Sequence, residues 1–429
     1  MAHINYFRNI NHIQKQSIRE AIPQGYFNTS FAAFGGTKNQ RDLVGLYQIS
    51  RTIGHKGIVL IHNDPDFESR LGYIYEIDPS IQRRTNIPTM YLANANGSQN
   101  SFYDPLYGLS ASNILNAIAP IPLDSRTLAD VQLVRSILAD YLEIMNYQYQ
   151  NHKTVFGQSP YNLDLLYELT KMSYSELNRT VLSFLPHNMF DSLARRLSSA
   201  ESQQKAFNAV RSFALSLNTS LWTRKGFSNH SKLSIISSVA TRNLISIYVP
   251  GSRKEILDYL AIELKALNDT NRPYLLVTSG ISVNESSEFK KLFLNNHTAL
   301  PYSTGILSDD ITGIVNTSAD RNRQNFSNNV ELSALFSQAQ ELFVFSCSST
   351  LSAAPFSESI GTYYRQVIEQ HNEVHREPFH IFSSHGRGQA QREVQQAIIT
   401  PEELTNLGDG CLIYGSNHPV PILVDHFIL

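Results

Sequence analysis

The amino-acid sequence, 429 residues long, is poor in charged residues and in cysteine. Lysine, arginine, aspartate and glutamate make up 17% of it and the formal net charge is −2, so no global basic field is available to hold nucleic acid by counterion release. The two cysteines, Cys347 and Cys411, stand in apolar stretches, which indicates buried free thiols in a reducing compartment. No cysteine pair has the spacing of a zinc site, and no metal is expected.

Long apolar runs and a secretory leader are also missing. No stretch of about 18 apolar residues occurs, so no transmembrane segment is expected, and the polar residues 8–20 are unlike a signal peptide. No Gly-x-Ser-x-Gly motif follows an apolar run, which leaves a serine hydrolase unsupported. The chain is nevertheless rich enough in hydrophobic residues (42%) and aromatic residues (10%) to bury a large core. These features predict a globular cytoplasmic protein.

A phosphate-loop pattern with altered residues lies at 34–42. An apolar stretch precedes a Gly-Gly turn, and apolar residues recur at helical spacing over 43–53, which is the strand, loop and helix order of a P-loop. A working P-loop places Lys on the phosphates and Ser or Thr on Mg²⁺. Here Gln40 replaces the last glycine, Arg41 the lysine and Asp42 the hydroxyl. We interpret this segment as a vestigial nucleotide loop whose members are Gly35, Gly36, Thr37, Arg41 and Asp42.

Short apolar runs alternate with helical spacing along most of the chain, which predicts an α/β fold with a doubly wound, mostly parallel sheet. Strands are predicted at 31–34, 57–61, 88–93, 244–249, 274–277, 298–301, 341–347 and 411–414. Helices are predicted at 67–75, 110–119, 254–267, 308–318, 328–338 and 357–370.

Between 124 and 221 the pattern changes to helical spacing with no convincing strand. We therefore predict an all-helical domain at 124–221, inserted between two parts of an α/β domain at 29–123 and 222–429. Residues 1–28 form an N-terminal segment in this division.

Taken in order, four stretches resemble motifs of the TraD/TraG-type coupling proteins of type IV secretion and conjugation, which are FtsK- and RecA-like P-loop ATPases. They are residues 34–42 in the Walker A place, 56–68 with its Asp-Pro after a strand, 103–106 (Tyr-Asp-Pro-Leu) and 400–404 (Thr-Pro-Glu-Glu-Leu). The helical insertion matches the all-alpha domain of that family. The resemblance implies a RecA-like fold and a nucleotide site where the loop meets the strand that ends near Val277.

The departures from the family concern the catalytic groups. The Walker B strand of a P-loop ATPase ends in acids that hold Mg²⁺ and position water, but the corresponding strand here ends in Thr278 and Ser279, which we interpret as a vestigial Walker B. Asp64 and Asp66 remain as possible nucleotide or metal contacts. The resemblance therefore implies a protein with the architecture of a motor and without its catalytic residues.

Two functions follow from this interpretation. The first is a non-catalytic pseudo-ATPase that acts as scaffold or adaptor in a secretion or conjugation assembly, with protein partners, no cofactor, and peripheral inner-membrane association only through those partners. The alternative is an active ATP-driven DNA or protein translocase, in which Arg41 replaces the lysine and Asp64 or Asp66 holds Mg²⁺. An oligomer is possible in either case, and nucleic acid is not indicated by the charge.

Three weaker patterns complete the set. His371 and His375 at i and i+4 would share a helix face, which we interpret as solvated rather than metal-binding. Residues 384–388 form a glycine-rich basic stretch, predicted as a surface loop in which Arg387 is a possible interface contact. Trp222, beside Arg224 and other basic residues, could stack on single-stranded nucleic acid or pack at a domain hinge.

Overall fold

The structure is a computed structural model. It describes residues 13–22, 29–83, 89–93, 104, 106–118, 128–151, 159–161, 163–201, 208, 211–212, 233–252, 254–294, 301–315, 330–375 and 384–427. The strands in this part of the chain are β1 (Gln14–Lys15), β2 (Phe31–Phe34), β3 (Gly57–His62), β4 (Met90–Ala93), β5 (Leu244–Tyr248), β6 (Tyr274–Ser279), β7 (Tyr302–Ser308), β8 (Glu341–Val344), β9 (Thr362–His375), β10 (Ser384–Ala397), β11 (Cys411–Gly415) and β12 (His418–Val424).

The helices surround one large sheet. In chain order they are α1 (Ile18–Ala21), α2 (Lys38–Thr52), α3 (Phe67–Arg70), α4 (Ile74–Ile77), α5 (Ala111–Ile118), α6 (Leu128–Asn151), α7 (Leu163–Lys171), α8 (Tyr174–Thr180), α9 (His187–Glu201), α10 (Ile235–Ala240), α11 (Lys254–Asn268), α12 (Ser287–Leu294), α13 (Val330–Gln338), α14 (Thr350–Ile360) and α15 (Pro401–Thr405). A 3₁₀ turn, Leu71–Tyr73, joins α3 to α4.

The sheet has ten strands in the order β1-β12-β11-β8-β2-β7-β6-β3-β5-β4. From β8 to β4 every neighbouring pair is parallel, and β11 pairs antiparallel with both β8 and β12. Strands β2, β3 and β6 are buried along their whole length, as continuous apolar runs in a sheet covered on both faces should be. The predicted α/β fold with a mostly parallel sheet is confirmed.

Parallel pairing places the carboxyl ends of β2, β7, β6 and β3 at one edge of the sheet. Strand β7 lies between β2, which leads into the glycine turn, and β6, which contains Val277. The glycine turn and the strand that ends in Thr278 and Ser279 therefore lie at the same edge, separated by one strand, as the resemblance requires.

Helix α2 begins at Lys38 and not at the predicted Leu43. Thr37 is its N-cap, and Thr37 and Gln40 form a capping box in which each side chain accepts a hydrogen bond from the other residue's backbone. This reciprocal cap fixes the start of the helix, so Arg41 and Asp42 lie inside the helix and not on the loop.

The predicted helix at 357–370 is wrong beyond Ile360. Gly361 has φ +96°, which favours glycine, and it ends α14 by donating its N–H to Ser357 O. Strand β9 follows and pairs antiparallel with β10 in a two-stranded ribbon, separate from the main sheet, in which Arg387 stands opposite Asn372. Residues 384–388 are therefore strand and not a loop.

The ribbon also contradicts the prediction that two histidines share one face of a helix. His371 and His375 both belong to β9, and residues four apart on a strand are separated by about 13 Å. The strand predicted at 298–301 lies outside the described residues except for 301, and β7 begins directly after it at Tyr302. The helix predicted at 308–318 differs, because only Ile311–Gly313, a 3₁₀ turn, is helical in its described part.

Within the described residues from 128 to 201, the regular structure is helical, in α6 to α9 and one 3₁₀ turn. The chain leaves and rejoins the α/β part close together, because Asp104 N–H donates to Leu233 O at 2.7 Å. The domain boundaries themselves stay a prediction. No helix in the described part of the chain is both long and apolar enough to cross a membrane.

Asp104 is a buried carboxyl group at this junction. One oxygen accepts the N–H of Leu106 at 3.0 Å, and the other has no hydrogen-bond partner among the described residues. Burial raises the pKa of Asp104 to about 7. The folded state therefore retains this proton at pH values where an unfolded chain has released it, so folding stability falls as pH rises from about 4 to 7.

We predict that Asp104→Asn raises the free energy of unfolding by about 2–3 kcal/mol more at pH 8 than at pH 5. The amide carries no charge to desolvate, and at pH 5 the native carboxyl is already neutral. Urea unfolding at both pH values measures this, with the exposed Asp191→Asn as control. An equal effect of Asp104→Asn at the two pH values would contradict the prediction.

Candidate functional site

The glycine turn after β2 packs directly on the chain that follows β8. Gly36 N–H donates to Ser346 O at 2.8 Å. Gly35 and Gly36 have φ +74° and +59°. A Cβ on Gly35 would lie 2.9 Å from the carbonyl oxygens of Phe345 and Ser346, and one on Gly36 would lie 2.6 Å from Phe345 Cβ. Both positions therefore require glycine, for conformation and for space.

The polar groups of this turn bond to one another. Thr37 N–H donates to Gln40 Oε1 at 2.8 Å, and Gln40 N–H donates to Thr37 Oγ1 at 3.3 Å. Arg41 Nη1 donates to the carbonyl oxygens of Gly35 (2.7 Å) and Gly36 (2.8 Å). A phosphate cradle needs backbone N–H groups that face the ligand. Here the N–H groups of Gly36, Thr37 and Gln40 already have acceptors within the protein.

Asp42 is the most buried charge at this edge, with 1% of its surface exposed. Ser279 Oγ, at the end of β6, donates to one carboxylate oxygen at 2.8 Å, and Arg70 Nη1 donates to the other. Burial raises the pKa of Asp42, while Ser279 and the nearby cations Lys38 and Arg70 oppose that rise. P-loop enzymes place a hydroxyl on the helix and an acid on the strand, with Mg²⁺ between them. Here the acid is on the helix, and it bonds directly to the hydroxyl.

Asp64 extends this arrangement to the end of β3. Its carboxylate pairs with Lys38 and lies 3.4 Å from Arg70 Nη2. The exposed Asp66 contributes its backbone N–H to Asp64 Oδ1 at 3.0 Å. We call Lys38, Asp42, Asp64, Arg70 and Ser279 the edge network. Within the described side chains, no group of three or more His, Cys, Asp or Glu residues is arranged to hold a metal ion.

The structure thus brings together Asp42, Asp64 and Ser279 from the residues selected in the sequence. Thr278 lies beside them in the chain but donates to Gly305 O at 3.5 Å. Arg387 belongs to the separate ribbon. Trp222 lies outside the described residues. Sequence reasoning missed two members of the edge network, Lys38 and Arg70. The capping pattern at Thr37 and Gln40 was the available signal for Lys38, because it starts the helix there.

A cleft of about 630 Å³ adjoins the edge network. Its walls are one face of α2, the segment from α3 to α4, and the loops that contain Asp409 and Phe427. Asp42 and Arg70 belong to both the network and the cleft lining. The Asp42–Arg70 pair therefore forms part of the wall of this cavity.

The described fold is that of the bacterial conjugative coupling proteins, as the resemblance predicted. The solved structure described as "bacterial conjugative coupling protein TrwBdeltaN70", in an unbound form, matches with a TM-score of 0.53 and 12% sequence identity, over 96% of this chain and 92% of that chain. Plasmid coupling protein TrwB in complex with ADP and Mg²⁺ matches with a TM-score of 0.53 and 12% identity, over 96% and 88% of the two chains. No protein-family model and no curated protein sequence matches. Similarity at this level of identity establishes the fold alone.

We predict that Arg70→Met lowers the free energy of unfolding by about 2–4 kcal/mol at neutral pH, because it removes the cation that bonds directly to the buried Asp42 carboxylate. Adding Asp42→Asn to Arg70→Met should recover most of the loss, since the amide oxygen can still accept from Ser279. Denaturant unfolding of the two single variants and the double variant measures the coupling.

Arg272→Met serves as the control for this cycle, because Arg272 is exposed. Its substitution should change stability by less than about 0.5 kcal/mol. Additive effects of Arg70→Met and Asp42→Asn would show that the two side chains do not depend on each other and would contradict the prediction.

Proposed function

We propose that this protein is a non-catalytic, coupling-protein-like component of a type IV secretion or conjugation assembly, in which it acts as scaffold or adaptor for protein partners. It has the fold of a motor ATPase, and the side chains at the carboxyl edge of its sheet bond to one another. No nucleotide is part of this function.

One observation carries the proposal. At the place of the nucleotide site, the N–H groups of Gly36 and Thr37 bond to Ser346 and Gln40, and the Asp42 carboxylate bonds to Ser279 and Arg70. A bound nucleotide would have to break these contacts before it gained its own. The direct bond from Ser279 to Asp42 also occupies the space that Mg²⁺ would need between an acid and a hydroxyl.

The alternative, an active ATP-driven translocase, is favoured by one feature. Lys38 stands at the first position of α2, where a helix N-terminus attracts phosphate, and its side chain is 37% exposed. Its ammonium group is nevertheless paired with Asp64. Arg41, the residue that the alternative first assigns to phosphate, contacts the two glycine carbonyls.

We predict that isothermal titration of the full chain with ATP and Mg²⁺ gives no binding in the micromolar range and that no phosphate is released above the rate without protein. Plasmid coupling protein TrwB, whose solved complex contains ADP and Mg²⁺, is the positive control for the titration. Micromolar binding with turnover that is lost in Lys38→Ala or Arg41→Ala would overturn the adaptor proposal and establish the alternative.

A further inference from the structure

The helical region formed by α6 to α9 is attached to the α/β part mainly through one helix. In the described part of the chain, the strongest packing contact that these helices make with another element is that of α6 with α5, and α5 also packs on α11. The chain at 104 and 106–109, which we call the junction loop, leads directly into α5. This loop is therefore placed to control how the two parts move relative to each other.

The junction loop contacts the chain on both sides of the helical region. Asp104 N–H donates to Leu233 O, on the segment that returns to the sheet, at 2.7 Å. Ser159, which lies between α6 and α7 and is 2% exposed, donates from its hydroxyl to Leu106 O at 3.4 Å. The outgoing chain, the returning chain and the helical region thus meet at one loop.

The Asp104 carboxyl group has fewer partners than its burial requires if it is charged. None of its surface is exposed, Leu106 N–H donates to Oδ1 at 3.0 Å, and Oδ2 has no hydrogen-bond partner among the described residues. A buried carboxylate is stable only if hydrogen bonds or an opposite charge replace its water. In the closed junction, the neutral acid is therefore the favoured form.

The ionisable side chains of the packed elements do not supply a positive charge. On α11, Tyr259 is buried and interacts electrostatically with Asp104, and the buried Glu263 bonds to the start of α10. In the described part of the chain, the junction loop itself contributes Tyr107 and the segment 159–161 contributes Tyr161. Tyrosine and glutamate are neutral or negative. An ionised Asp104 can therefore gain further stabilisation only from water, which reaches it if the loop moves.

We propose that the junction loop is a pH-dependent hinge, which is closed while Asp104 is protonated and opens more often once Asp104 is ionised. Opening hydrates the carboxylate, breaks the bond from Asp104 N–H to Leu233 O, and allows α5 and α6 to move relative to the sheet. The buried strands β3 and β6 stay packed, so this opening is local. The hinge goes beyond the adaptor role, because it requires neither a nucleotide nor a partner.

The pH range of the opening follows from the two environments of this carboxyl group. Burial raises the pKa of Asp104 to about 7 in the closed loop, and hydration in the open loop returns the pKa to about 4. Opening therefore releases a proton between these values. The open fraction rises by up to about tenfold per pH unit from about pH 4 to pH 7 and is constant above pH 7.

Hydrogen exchange of the full chain, followed by mass spectrometry at pH 5 and pH 8, tests the hinge. Each measured rate is divided by the intrinsic exchange rate at the same pH, so that the ratio reports opening alone. Peptides that cover 106–109, where Leu109 N–H donates to Leu106 O, should lose protection at least about tenfold between pH 5 and pH 8. Low urea concentrations should change their exchange much less than that of β6, because a local opening exposes little surface.

The variant Asp104→Asn should remove the pH dependence at 106–109, because the amide does not ionise. The exposed Asp191→Asn should keep it. Equal protection of 106–109 at the two pH values in the unaltered chain, or a pH dependence that survives Asp104→Asn, would overturn the proposal. Exchange at 106–109 that is as sensitive to urea as exchange in β6 would show that the loop opens only when the whole fold unfolds, and this result would also overturn it. The first and last of these measurements need no variant.

Discussion

The buried carboxylate of Asp42 is the constraint on which the carboxyl edge of the sheet depends. A charge with 1% exposure is stable only if hydrogen bonds and an opposite charge replace its water. Ser279 and Arg70 supply these, and in doing so they join α2 to β6 and α3. Arg70 also approaches Asp64, which pairs with Lys38, so the network connects groups from α2, β6, α3 and the loop after β3.

This arrangement supports the proposal that the fold persists here without a nucleotide. In a P-loop enzyme the same edge is completed by Mg²⁺ and phosphate, which neutralise the protein's acid and its lysine. Here the exchange of acid and hydroxyl between helix and strand lets Asp42 and Ser279 bond directly, and Arg70 supplies the positive charge. The edge is thus complete in the protein alone. Arg41 likewise bonds within the protein, because its guanidinium group donates to the carbonyl oxygens of Gly35 and Gly36.

The sequence predicts the sheet well and the contacts of the site only in part. Continuous apolar runs such as β3 and β6 are typical of buried parallel strands. The resemblance selected Asp42, Asp64 and Ser279, and the parallel pairing brings them to one edge. The start of α2 was misplaced because Thr37 was assigned to a loop, although its reciprocal cap with Gln40 begins the helix. Arg70 could not be found, since its partner Asp42 is distant in the chain. The ribbon was missed because β9 and β10 consist mainly of polar residues and contain no long apolar run, and only Gly361 marked the end of the helix before it.

Helix α2 is held at both ends, and this supports a role based on shape. At its N-terminal end Asp42 bonds to Ser279 and Arg70. At its C-terminal end, the buried carboxylate of Glu341 on β8 accepts from Gln48 at 2.6 Å and from Arg51 at 3.4 Å. Removing one partner from either buried cluster leaves an uncompensated charge, so movement of α2 relative to the sheet carries that penalty at both ends. A motor must couple its nucleotide loop to movement. A helix fixed by internal ion pairs instead presents a constant surface, which is the property that a scaffold requires.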